Sequence, residues 1–217
     1  AGDGTGNAQS ALDTTAAGDI WDNGFTHGAA IGYTAMGGSD ANNNKSINYT
    51  LPTIMDDLSV AVSYSGQTTA TNSTTAFGAT YTGVEGLSVS YGVGEAGSTT
   101  ATAAADVTTM KASYAIGSFT AAVSNTENDL TGTGTDEEMS SWKLSYTVSD
   151  DLSVSYGEET HETSGESVDE EFDAISVSYT TGGMTITAAQ YNATGLNNTA
   201  GTTGEAARWK LSTSFAF

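Results

Sequence analysis

Most side chains that could do chemistry in this 217-residue chain are carboxylates. There are 26 of them against five bases, for a formal charge of −21. That balance disfavours nucleic acid as a partner and favours cations. Catalysis by a nucleophile needs a base held beside it. The only histidines are His27 and His161, and neither stands in a nucleophile motif, so no enzyme is expected. His161 sits in EETHE with no second His and no Cys near it, which suits a surface residue better than a metal ligand. The chain has no Cys, so it has no disulfide framework and no thiolate metal site. Carboxylates do gather at Asp136, Glu137 and Glu138, and again at Glu158, Glu159, Glu162, Glu166, Asp169, Glu170 and Glu171. Oxygen-rich clusters of this kind suit Ca²⁺. None has EF-hand spacing, so the alternative is a solvated acidic loop, and no other cofactor is expected.

The elements that carry these residues are strands. Leu, Ile, Val and Phe make up 33 of 217 residues, about 15%. With this net charge, such a composition ordinarily means disorder. Yet parity is kept over long stretches. Trp142, Leu144, Tyr146 and Val148 alternate with Ser141, Lys143, Ser145 and Thr147. Ile175, Val177 and Tyr179 alternate with Ser176 and Ser178. Period two marks strands with one apolar and one polar face. Eleven are expected, near 45–51, 58–65, 76–82, 86–93, 107–115, 118–125, 139–147, 151–158, 172–180, 184–191 and 206–217. Their connections alternate short and long, and the long ones are expected to hold most of the acids.

That asymmetry predicts an antiparallel transmembrane β-barrel of the bacterial outer membrane, with short periplasmic turns and long extracellular loops. Its apolar face meets lipid and its polar face lines water, so it needs no packed hydrophobic core. No apolar run approaches 18 residues, which excludes a membrane-spanning helix. Tyr49, Tyr81, Tyr114, Tyr146 and Tyr179 each precede a short turn on the apolar parity, as an interfacial aromatic girdle requires. Lys111, Lys143, Arg208 and Lys210 fall on the polar parity, where they would form a basic wall in the lumen.

Three stretches resemble general bacterial outer-membrane porins of the α-proteobacterial type. NKSINYTLPTIMDDLSVAVSYS (Asn44–Ser65) is similar to the segment that follows their inward-folded third loop. The terminal WKLSTSFAF, with Trp209, Phe215 and Phe217 on one parity, is similar to their membrane-insertion signal. The earlier GNAQSALDT (Gly6–Thr14) resembles the same region of α-proteobacterial porins. The resemblance implies a sixteen-stranded barrel, usually a homotrimer, passing small hydrophilic solutes and ions by passive diffusion. The eleven strands would be the last eleven of sixteen, about the C-terminal two-thirds of such a protein. Residues 1–44 would hold the constriction loop, with Asp13, Asp19 and Asp22 as its acids, and 45–217 the barrel strands. The alternative is a complete twelve-stranded barrel that adds a strand over His27–Met36. Lipid and lipopolysaccharide are the expected neighbours, and cation preference is the expected selectivity. A surface-exposed adhesin or receptor without channel activity is the alternative function.

Overall fold

The structure is a computed structural model that describes residues 16, 17, 20, 24, 25, 46–52, 54–65, 74–96, 105–130 and 135–216. Among the described residues, eleven strands form one sheet in chain order: β1 (Ser46–Thr50), β2 (Leu58–Ser65), β3 (Thr74–Val84), β4 (Leu87–Ala96), β5 (Ala105–Ile116), β6 (Phe119–Leu130), β7 (Glu137–Ser149), β8 (Leu152–Thr163), β9 (Glu170–Thr181), β10 (Met184–Thr194) and β11 (Ala206–Phe215). The sheet is an antiparallel meander, and among the described residues β1 and β11 are its two terminal strands. The strand expected over His27–Met36 lies outside the described residues, as do Lys45 and Phe217.

Four connections are two-residue turns, at 85–86, 117–118, 150–151 and 182–183. Gly182 and Gly183 have φ of 56° and 81°, the pair of positive values that a type I′ hairpin turn demands. Pro52 lies in the longer connection 51–57, where a missing N–H breaks no ladder bond. That connection closes on Asp57, whose φ is 63° and whose carbonyl accepts the Thr82 N–H at 2.9 Å.

The chain divides into two compact units. In the first, which includes β1–β4, the exposed face carries Ile47, Tyr49, Val62, Tyr64, Val89 and Tyr91. The opposite face is small and hydroxylated. Gly78 pairs with Gly92, and Thr80 hydrogen-bonds Ser90 at 2.9 Å. Thr109 and Thr126, both fully buried, pair at 3.2 Å. In the second unit, which includes β8–β11 and β7 from Met139, the exposed face carries Trp142, Leu144, Tyr146, Val148, Ile175, Val177, Tyr179, Trp209 and Leu211. Large apolar side chains outside and hydroxyls inside is the reverse of a water-soluble domain. It is what lipid outside and water inside select.

The strands run further at their loop ends than alternation predicts. β8 continues to Thr163 rather than ending near 158, and β6 to Leu130 rather than 125. The acids expected in loops therefore mostly sit on strands. Glu137 and Glu138 are on β7, Glu158, Glu159 and Glu162 on β8, and Glu170 and Glu171 on β9. Only Asp136, Glu166 and Asp169 of that set lie in connections. The physical reason is that polarity inverts towards the loops. An apolar–polar count sees the pattern fade there, although the ladder continues.

Candidate pore-lining face and the segment packed on it

In the second unit the face opposite the apolar one changes character along the strands. Near the two-residue turns it is almost wholly hydroxyl. Ser155 pairs with Ser176 at 2.8 Å, Ser178 with Thr187 at 2.8 Å, and Thr180 with Thr185 at 2.9 Å. Each pair faces across one strand–strand boundary, so the wall satisfies its own polar groups and stays wettable. Lys143, Arg208 and Lys210 lie on this same face, and Lys111 lies on the corresponding face in the first unit.

Towards the loops the same face becomes a small core. Phe172, Ala193, Ala17 and Ile20 are buried together, with Phe25, Ala174, Tyr191 and Leu196 packed around them. Ala17, Ile20 and Phe25 belong to the N-terminal segment, so that segment rests on the inward face of the wall. Ser141 Oγ accepts the backbone N–H groups of Ala16 at 2.7 Å and Ala17 at 3.3 Å. Glu159 Oε2 accepts the Ile20 N–H at 2.8 Å. Arg208 Nη1 donates to the Gly24 carbonyl at 3.1 Å. The Phe25 and Phe172 rings lie 5.9 Å apart.

Two glycines permit this approach. A Cβ at Gly24 would stand 2.7 Å from the Tyr191 ring. A Cβ at Gly157 would stand 2.9 Å from the Trp142 carbonyl and 3.4 Å from Ala17 Cβ. Beneath the segment a crevice of about 100 Å³ is lined by Ala17, Ile20, Lys143, Ser155, Gly157, Ala174, Ser176 and Tyr191.

Asp13, Asp19 and Asp22 lie outside the described residues. His161 is not the surface residue expected of a lone His among acids. It is 1% exposed, with its ring 5.2 Å from Phe172 and Nε2 at 3.3 Å from Glu159 Oε1. Glu159 and Glu170 are buried too, rather than solvated in a loop, and Glu170 Oε1 accepts the Asn197 N–H at 2.6 Å. The signal for this core was Phe172, an apolar residue on the same parity as Ala174, Ser176 and Ser178. Glu158 is on the opposite, outward parity. It accepts from Trp142 Nε1 at 3.0 Å and from the Tyr156 hydroxyl at 2.7 Å, which marks the upper edge of the apolar band. Tyr49, Tyr114, Tyr146 and Tyr179 are exposed on the apolar face and Tyr81 is half-buried there. Phe119 stacks beside Tyr146 at 4.6 Å. Trp209 and Phe215 are exposed on the last strand. Among the described residues no three His, Asp or Glu side chains form a group able to hold a metal ion.

The sequence profile of the Gram-negative porin family matches residues 3–216. The chain belongs to that family. The porin's fold is matched by a porin structure refined at 1.8 Å resolution, at a TM-score of 0.67 and 17% identity, over 100% of this chain and 76% of the other. It is also similar to OmpT, an outer membrane protein of Vibrio cholerae. A loop L8 deletion mutant of OmpT matches at a TM-score of 0.54 and 18% identity, over 97% of this chain and 74% of the other. The trimer form of OmpT matches at 0.54 and 19%, over 87% and 65%. No curated protein matches the sequence. The porin is therefore a channel-forming β-barrel protein of the bacterial outer membrane, and its family and fold are those of non-enzymatic channels.

Proposed function

We propose that this porin passes small hydrophilic solutes and ions by passive diffusion, with a preference for cations. The observation that carries the reading is the hydroxyl-lined face of the second unit, which lies opposite a face of exposed aromatic and aliphatic side chains. A hydroxyl wall carries no net charge, so it admits polar solutes without selecting a sign. The sign comes from elsewhere. A net charge of −21 raises the local concentration of cations at the mouth, and salt screens that effect over about 10 Å at 0.1 M. Lys143, Arg208 and Lys210 on the wall temper the preference and supply a field across the lumen, with Asp13, Asp19 and Asp22 as the acids opposed to them. Lipopolysaccharide above the Trp142–Tyr156 level and a homotrimeric assembly complete the proposal. The likeness to a trimeric OmpT supports the last of these.

The test is a planar bilayer with a tenfold KCl gradient. Stable conductance steps are expected, with a reversal potential of the sign that K⁺ permeation gives. The magnitude should shrink as both salt concentrations rise. A reversal potential of the opposite sign contradicts cation preference, and a bilayer without steps contradicts diffusion through a pore.

A further inference from the structure

We propose that Glu159 is a positioning residue that sets the width of the pore, by tying Ile20 of the N-terminal segment to β8. The inference rests on the channel function above. β8 alternates, so Glu159 and His161 share the inward face with Ser155 and Gly157 while Glu158 points outward. Glu159 is 1% exposed. One carboxylate oxygen accepts the Ile20 N–H at 2.8 Å, and the other lies 3.3 Å from His161 Nε2. The His161 ring packs on Phe172, and Phe172 is buried against Ile20. The contacts therefore close a loop: β8 to Ile20 through Glu159, Ile20 to β9 through Phe172, and β9 back to β8 through His161.

A buried carboxylate is a poor choice for stability alone. It must shed its water, and an apolar side chain of similar volume often does as well. What an apolar side chain could not do is accept the Ile20 N–H. Without an acceptor that amide would be unsatisfied in a buried place, and the segment would leave the wall to find water. The other described tethers lie to either side of Ile20. Ser141 holds Ala16 and Ala17, and Arg208 holds the Gly24 carbonyl. Glu159 therefore holds Ile20, which lines the crevice together with Ala17, Lys143, Ser155 and Ser176.

Three variants test this, each first checked for barrel folding by heat-modifiable gel mobility. Glu159→Ala removes the acceptor. Ile20→Pro removes the donor, together with the Ile20 side chain that packs with Phe172, and leaves every strand side chain in place, so it tests the hold on Ile20 even where Glu159→Ala does not insert. Glu159→Gln keeps an acceptor for Ile20 and can donate its amide to His161. Single-channel recordings should show higher conductance, on the order of 1.5-fold, and more open-channel noise for Glu159→Ala and Ile20→Pro, because conductance follows the narrowest ring. Glu159→Gln should match wild type. Wild-type conductance and noise in Ile20→Pro, or a Glu159→Gln channel as altered as Glu159→Ala, overturns the inference. Absence of steps in the wild-type protein instead overturns the channel function on which it rests.

Discussion

The turn-side and loop-side halves of β8, β9 and β10 share one continuous ladder but face opposite solvents. On the turn side, Val154, Ile175, Val177 and Ile186 point outward, and Ser155, Ser176, Ser178 and Thr187 point inward. On the loop side, Glu158, Glu171, Asp173 and Asn192 point outward, and His161, Phe172 and Ala193 are buried inward. Hydrogen bonding is the same in both halves, so backbone pairing does not distinguish them. The difference teaches where each face finds its solvent. Lipid lies outside the turn-side half and water inside it. For the loop-side half, water lies outside and the N-terminal segment inside. The aromatic pair Trp142 and Tyr156, with rings 5.5 Å apart, sits where one regime gives way to the other.

The comparison can be broken most severely at its loop-side core. Phe172→Ala should cost roughly 3–5 kcal/mol, as for other buried aromatic truncations. Urea unfolding in detergent micelles should show the loss, and limited proteolysis should cut the N-terminal segment sooner. An unchanged midpoint would mean that the loop-side half is not a packed core. On the turn side, Val177→Arg should cost roughly 2–4 kcal/mol in a lipid-reconstituted unfolding assay, the penalty for a cation facing mid-membrane. Ser176→Arg, one residue away on the hydroxyl face, should cost little there. Equal costs for the two would erase the distinction between the faces.

How much of this was legible in the sequence follows from the same comparison. On the turn side, bulky apolar residues and hydroxyls alternate without interruption. The strands, the short turns and the tyrosine positions were readable there because lipid imposes one requirement on every strand. On the loop side the outward face is acidic and the inward face mixes Phe172 with Glu159 and His161, so no single period stands out. There the alternation predicts early strand ends and leaves the acids to loops. The burial of His161 was not readable because its partners Glu159 and Phe172 are themselves packed with Ile20, more than a hundred residues away in sequence. No local pattern carries a contact of that kind. The faces of the five tyrosines and of Lys111, Lys143, Arg208 and Lys210, by contrast, needed only strand parity.

The central claim is that one strand presents its outward side first to water and then to lipid, and its inward side first to protein and then to water. The absence of native cysteine allows a direct measurement on β9. Single substitutions to Cys at Glu171, Phe172, Asp173, Ser176, Val177, Ser178 and Tyr179, reconstituted in liposomes, would be exposed to a small membrane-impermeant thiol reagent. Labelling is expected at 171 and 173, then at 176 and 178, with 172, 177 and 179 protected. The reactive parity thus switches from odd to even between the two halves. Reactivity that keeps one parity along the whole strand, or shows none, would contradict the account.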